Sequence, residues 1–410
     1  MLDKDLSEWK NGYMDPNRLY GEQNSDDLVN NILLDALKKR ASDIHFEPGD
    51  DTFTVRFRID GLLHPAYKLN KKQQDEVISR IKVLSSLNIT EHRLPQDGYL
   101  EFISNERSYN IRISTLPTLF GEAVVCRVHN REDTLLNLKD LGFDKEQLEI
   151  MIRLIASASG IILATGPTGS GKTNLLYSIL HILDNPDKNI ITVEDPIEYH
   201  LENMRQTQIS EANGLTFAKV MRSIVRQDPD IVMLGEIRDA ETAQMASQIA
   251  LIGTRVFSTF HTFDVPGLIV RFKELGVTNS IISQAIKGII STRLLRKICA
   301  SCKVVYQPTP QEQALLGERA KTATLYKGKG CDTCQQLGFM GRTGIYEIVT
   351  VDEAVKASII EEKPASFITQ LLHQKQTKTL RTAAIDKVIQ GITTVDEMIR
   401  VLGLPTTQVG

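Results

Sequence analysis

No apolar run of eighteen residues occurs in the 410-residue sequence, so a membrane-crossing helix is not expected. The N-terminus, Met1-Leu2-Asp3-Lys4-Asp5, lacks the basic-then-apolar pattern of a secretory signal, and a cytoplasmic location is the expectation. Net charge is only −3, so no global basic field gathers nucleic acid or an anionic membrane surface. No stable nucleic-acid partner is expected. Cysteine is scarce, with five in all, and four of them form two CxxC pairs, Cys299/Cys302 and Cys331/Cys334. In a reducing compartment such pairs suggest a metal site rather than disulfides. The fifth, Cys126, lies in the strand-like Ala123-Val124-Val125-Cys126-Arg127-Val128 and reads as a small core residue.

With 41% hydrophobic residues, a chain of this length can bury the cores of two or three domains. Residues 1–20, with Trp9, Tyr13 and Tyr20 among charges, show no period and are expected to form a tail or a partner-binding arm. From residue 21 to 135 the pattern gives helix, strand, helix and then an antiparallel strand set, a small α+β domain. Its first helix runs from Ser25 to about Arg40 on a stripe of Leu28, Ile32, Leu33, Ala36 and Leu37. Its alternating strand Phe53–Ile59 sets Arg56 and Arg58 on one face, which suits either solvent or an anion. Residues 136–142 read as a linker. Asp144 then caps a helix to about Ser157, and from 143 to 292 strands alternate with helices, which implies a mainly parallel sheet. A cysteine segment follows over 293–350. Helical stripes at Phe367, Leu371 and Leu372, then Leu380, Ala384 and Val388, fill 351–410.

The organising stretch is Gly166-Pro167-Thr168-Gly169-Ser170-Gly171-Lys172-Thr173, preceded by the apolar Gly160–Thr165. A buried strand feeds a loop whose glycines let backbone N–H groups turn inward around an anion, and Asn174 onward continues as a helix facing the phosphates. In that pattern Lys172 reaches the β- and γ-phosphates and the Thr173 hydroxyl binds Mg²⁺, so a nucleoside triphosphate is the expected ligand. A second strand, Asn189–Val193, delivers Glu194, Asp195 and Glu198 to the same edge, a set suited to Mg²⁺ and to activating water. A third, Ile231–Leu234, ends at Gly235-Glu236, where Glu236 takes the metal-binding place. A fourth, Arg255–Phe260, leads to His261, a candidate sensor of the γ-phosphate.

These motifs resemble those of the type II secretion and type IV pilus assembly ATPases. Ser42-Asp43-Ile44-His45-Phe46-Glu47-Pro48, Leu94-Pro95-Gln96-Asp97-Gly98, the phosphate loop, Glu194-Asp195-Pro196-Ile197-Glu198-Tyr199, Gly235-Glu236-Ile237-Arg238-Asp239, Ser258-Thr259-Phe260-His261-Thr262 and Gly341-Arg342-Thr343-Gly344-Ile345-Tyr346-Glu347 occur in the family's order. The resemblance implies an α/β, RecA-like P-loop domain after a small PAS-like α+β domain, with a hexameric ring holding ATP between the two. It implies that Arg112 and Arg127 reach the phosphates, that Glu198 activates water with Glu194 in reserve, and that Glu236 and Thr173 hold Mg²⁺. It also implies a motor at the cytoplasmic face of the inner membrane, peripherally associated, which drives pilin-like subunits through a platform protein.

Three features depart from the family's pattern. Thr254 stands where the His box opens with a second histidine, and Tyr99 replaces an arginine after Gln-Asp-Gly. Only about twenty residues precede the first shared helix, so no extra docking domain is expected. The cysteine pairs, with 28 intervening residues, suit a closed tetrahedral Zn²⁺ site, and in the family they mark assembly-type members. Lys303, Lys327 and Lys329 beside them make only a modest basic patch. The alternatives are a pilus retraction motor and a DNA-translocating or conjugation-type ATPase.

Overall fold

The computed structural model describes residues 25–104, 107–130, 137–262, 264–320 and 323–403, and the expected arm with Trp9, Tyr13 and Tyr20 lies outside them. The chain divides into two compact units between Thr134 and Leu135.

The first unit comprises α1 (Ser25–Lys38), β1 (Asp43–Pro48), β2 (Phe53–Ile59), β3 (Leu62–Leu69), α2 (Lys71–Leu84), β4 (Gln96–Ser104), β5 (Arg107–Thr118) and β6 (Gly121–Asn130). Its strands form one antiparallel sheet in the order β3-β2-β1-β6-β5-β4. The alternation in β2 buries Phe53, Val55, Phe57 and Ile59, while α1 contributes Leu28, Val29, Ile32, Leu33 and Ala36 to the buried set. Asn70 and Gln73 close a capping box at the start of α2. Near the end of α2, Lys82 is fully buried, and its ammonium donates to Glu122 Oε2 at 2.6 Å and to the Glu91 carbonyl at 2.6 Å. That pair ties the helix, the 88–95 loop and β6 together.

The second unit contains α3 (Lys145–Ile155), β7 (Gly160–Thr165), α4 (Lys172–Leu183), β8 (Ile190–Glu194), β9 (Arg205–Gln208), α5 (Phe217–Ile224), β10 (Ile231–Leu234), α6 (Ala240–Leu251), β11 (Arg255–Phe260), α7 (Val265–Glu274), α8 (Asn279–Ala285) and β12 (Ile286–Ile298). It continues with β13 (Lys303–Tyr306), α9 (Pro310–Leu316), β14 (Leu325–Gly328), β15 (Phe339–Thr350), α10 (Glu353–Ile360), α11 (Ala365–Gln374), α12 (Leu380–Ile389) and α13 (Val395–Leu402). A seven-stranded sheet runs β15-β12-β7-β11-β10-β8-β9, parallel throughout except for β15 against β12.

Alternate residues of β7 serve two cores. Ile161 and Leu163 join the layer under α6, α7, α10 and α11, and Ile162 and Ala164 join the layer under α3 and α4. Helices on both faces of a parallel sheet place ligand chemistry at the carboxyl ends of its strands.

Three expectations change. Leu138 and Leu141, read as linker, are buried in the layer with α3 and α4, because this stretch closes that side of the core. The boundary at 292/293 falls inside β12, a continuous strand paired to both β7 and β15, so the cysteine segment leaves the main sheet and returns to it. In α11, Leu372 is buried and Leu371 packs against the core as expected, but Phe367 is exposed and its neighbour Ile368 takes the buried place.

Candidate nucleotide site and cysteine centre

The phosphate loop begins where β7 ends. Gly166, Gly169 and Gly171 all have positive φ, at 145°, 75° and 93°. At Gly166 the reason is also steric, since a Cβ there would lie 2.7 Å from both Ser170 Oγ and the Thr292 carbonyl. Neighbouring β12 braces the loop: Thr292 Oγ1 donates to the Ser170 carbonyl at 3.0 Å, and Thr165 Oγ1 donates to Ser291 Oγ at 3.1 Å. Gly171 is the N-cap of α4 and makes no side-chain cap, so the first N–H groups of the helix, from Lys172, Thr173 and Asn174, have no side-chain acceptor there. Pro167, Thr168 and Gly169 form the exposed tip of the loop.

Lys172 is buried and folds back on its own loop, donating to the carbonyls of Gly166 at 2.7 Å and Pro167 at 2.9 Å. Burial lowers its pKa to about 8, with the charge of Glu236 opposing the shift and that of Arg293 adding to it. Ser170 Oγ is buried and has no hydrogen-bond partner. A loop with an unpaired hydroxyl, a desolvated ammonium and a helix start fits the phosphates of a nucleotide.

Glu236 follows β10 and His261 follows β11, which are adjacent parallel strands. The Glu236 carboxylate meets Arg238 Nη2 at 2.5 Å and His261 Nε2 at 3.5 Å. Thr259 Oγ1 donates to the Gly235 carbonyl at 2.6 Å and holds the turn that aims Glu236. Desolvation, then the charge of Lys172, pushes the His261 pKa below its ordinary value, which favours the neutral ring. Lys172, Glu236, Arg238 and His261 thus form one electrostatic cluster at the carboxyl rim of the sheet.

Glu194 behaves differently from the reserve base expected of it. Its carboxylate accepts hydrogen bonds from Tyr177, from Thr192 Oγ1 at 2.5 Å and from Gln206 Nε2 at 3.2 Å, and it is only 2% exposed. Burial raises its pKa. The Tyr177 hydroxyl also accepts the Glu198 N–H at 3.2 Å, and its ring meets Tyr199 edge to face. Glu194 therefore supports the 195–199 turn that carries Glu198, while Asp195 is exposed on that turn. A histidine at Thr254 would not join His261 at one phosphate. Thr254 precedes β11, bonded to Gly160 and Pro229, so the two positions lie about 20 Å apart along the strand.

Arg112 and Arg127 belong to the first unit, where they are direct cross-strand partners in β5 and β6. Arg127 Nε donates to Asp43 Oδ1 at 2.9 Å. Burial alone would raise the Asp43 pKa, but hydrogen bonds from Arg127 and Ser42 hold it below the usual carboxylate range. Asp43 thus orients Arg127, a function the Ser42-Asp43-Ile44 motif did not reveal on its own. Arg293 at the phosphate loop was also missed, since its approach depends on β12 lying beside β7.

The four cysteines converge. Cys299, Cys302, Cys331 and Cys334 place their Sγ atoms within 4.8 Å of one another, with separations of 3.9 Å (299–331), 3.8 Å (302–334) and 3.7 Å (331–334). Tetrahedral zinc with bonds of about 2.3 Å needs sulfur–sulfur edges of about 3.8 Å. The N–H groups of Cys331 and Gly338 point at Cys334 Sγ, at 3.3 and 3.2 Å, as suits a thiolate.

The chain matches the Type II/IV secretion system protein family over residues 19–400. It is 42% identical over 375 residues to the type IV pilus assembly ATPase PilB of Thermus thermophilus, which covers 91% of this chain and 42% of that protein. It is equally 42% identical over 375 residues to the type II secretion system protein E of Aeromonas hydrophila, covering 91% of this chain and 75% of that one. The chain thus spans less than half the length of the Thermus relative.

Among solved structures it is similar to the ATPase DotB of Legionella pneumophila, with TM-score 0.65 and 22% identity over 91% of this chain and 94% of that one. It is also similar to the pilus retraction motor PilT with bound ADP, with TM-score 0.59 and 24% identity over 92% and 97% of the two chains. At these identities the structural likeness is one of fold. No helix among the described residues is long and apolar enough to cross a membrane. On the extent of the family match and its identity to named members, the chain belongs to the Type II/IV secretion system protein family.

Proposed function

We propose that the chain hydrolyses ATP with Mg²⁺ as the working step of a motor serving type IV pilus assembly or type II secretion. The observation that carries this reading is the set of Lys172, Glu236 and His261 gathered at the carboxyl rim beside a braced phosphate loop. Loop N–H groups and Lys172 bind the β- and γ-phosphates, and Lys172 exchanges its two carbonyl acceptors for phosphate oxygens. Thr173 and Glu236 are the residues that would hold Mg²⁺, which when bound neutralises charge on the phosphates. Glu198, set by the Tyr177–Glu194 pair, orients the attacking water and takes its proton. The neutral His261 donates to the γ-phosphate, and Arg112 and Arg127 supply further cations to the transferring group.

The larger assignment is a hexameric ring, peripheral at the cytoplasmic face of the inner membrane, that moves a platform protein and through it pilin or pseudopilin subunits. Identity to named assembly and secretion proteins supports it. The four thiolates are assigned to one structural Zn²⁺, a fit supported by three sulfur–sulfur separations of 3.7, 3.8 and 3.9 Å and by all four Sγ atoms lying within 4.8 Å of one another. Steady-state phosphate release by the zinc-loaded chain, with Lys172→Ala as control, tests the activity. Negligible release by the unaltered chain would leave a nucleotide-switched scaffold instead. Capture of the platform protein by the chain tests the assignment to a secretion or pilus machine.

A further inference from the structure

Strand β12 does more than brace the phosphate loop. Thr292 bonds the Ser170 carbonyl, and Leu294 lies 3.3 Å from where a Cβ of Gly171 would stand. Between them, Arg293 turns its guanidinium back onto its own strand, donating from Nη1 to the Thr292 carbonyl at 2.8 Å. That same Nη1 is 3.0 Å from the Cβ position of Gly166, and Ser170 Oγ is 2.7 Å from it. A guanidinium and a buried, unpartnered hydroxyl thus flank one glycine of the loop.

The charge balance of this corner is incomplete. Arg293 makes no ion pair among the described residues, and one hydrogen bond uses one of its five N–H donors. Glu347 lies on the same face of the β12–β15 pair, as the cross-strand partner of Ser291, but beyond ion-pair distance. Its Oε2 accepts the Leu380 N–H at 3.2 Å, and burial with the charge of Asp264 raises its pKa. His373 and Arg293 act on it in the opposite sense. Glu236, the anion acting on Lys172, is engaged by Arg238. Two desolvated cations, Lys172 and Arg293, therefore share a corner whose neighbouring carboxylates, Glu236 and Glu347, are engaged by Arg238 and by the Leu380 N–H.

Resting on the nucleotide reading above, we propose that Arg293 is a further nucleotide-binding residue, whose guanidinium takes a phosphate oxygen on the Gly166–Ser170 side of the loop. Its planar fork suits an oxygen shared with the Ser170 hydroxyl. The competing role is a staple between β12 and β15 through Glu347.

The test is equilibrium binding of fluorescent ADP and of a nonhydrolysable ATP analogue to the zinc-loaded full chain and to R293A, R293K and E347Q. Loss of a charge-assisted hydrogen bond weakens binding of both nucleotides about tenfold or more in R293A. R293K, which keeps the charge and the fold but not the fork, should recover part of that loss. E347Q should bind as well as the unaltered chain or better. Equal affinity in R293A and the unaltered chain overturns the assignment. So does an E347Q defect as large as that of R293A, the signature of a staple. If R293A does not fold, R293K with unchanged affinity overturns it. No nucleotide binding by the unaltered chain overturns the nucleotide reading itself, a result distinct from binding that is indifferent to Arg293.

Discussion

Lys172 gives the most quantitative expectation, because its titration lies inside an accessible pH range. Buried against the carbonyls of Gly166 and Pro167, its ammonium loses half its protons at about pH 8 when no nucleotide is bound. Phosphate oxygens favour the charged form, so above that pH nucleotide binding must take up a proton. The charged fraction falls from about nine-tenths at about pH 7 to about one-tenth at about pH 9, so the dissociation constant should rise about tenfold. Titration of a fluorescent ATP analogue across this range measures the slope.

Lys172→Arg is the control. A guanidinium keeps its charge throughout, so this variant binds less well but with a flatter pH profile. For stability of the nucleotide-free chain the sign is reversed. The unfolded chain holds the Lys172 proton up to about pH 10.5 and the folded chain releases it near 8, so burial of the charge costs stability below 8. That cost is relieved as pH climbs from 8 towards 10.5. An affinity for nucleotide that stays constant from about pH 7 to about pH 9 would refute the buried, desolvated placement of this ammonium.

Other perturbations follow from the same geometry. Gly166→Ala forces a Cβ to 2.7 Å from Ser170 Oγ and the Thr292 carbonyl at a φ of 145°, so nucleotide binding should be lost and the fold destabilised by about 1–3 kcal/mol; unchanged binding and melting temperature would show that the loop is not held in this conformation. Metal analysis should find one zinc per chain. Because such binding contributes on the order of 10 kcal/mol to local folding, chelation or Cys334→Ser should open residues 299–338 to protease; indifference to chelator would count against the site. Glu122→Gln leaves the buried Lys82 charge unpaired and should destabilise the first unit by about 3–5 kcal/mol in denaturant melts, whereas no change would show that Lys82 finds another partner.

The strand–loop–helix at 160–183 was legible because six apolar or small residues, three glycines and a helical stripe are contiguous. Asp144 likewise announces α3, and the structure adds Gln147, which completes a capping box with it. The four cysteines were legible as a cluster from spacing alone. Features that depend on distant partners were not. Leu138 and Leu141 read as linker until α3 and α4 lie over them, and a domain boundary at 292/293 stands in the sequence until β12 is seen to run through it, paired with β15 some fifty residues later. Glu194 looks equivalent to Glu198 in sequence. Tyr177 and Gln206, seventeen residues before it and twelve after, make it a support.

The sharpest experiment on the central claim is phosphate release and nucleotide binding measured together for Glu198→Gln in the zinc-loaded chain. Loss of a positioned base lowers turnover by about a hundredfold or more while ATP affinity stays near that of the unaltered chain, since Lys172 and the loop remain. Turnover at the unaltered rate with Glu198 replaced would contradict the assignment of this turn to water activation, and with it the hydrolytic site described here.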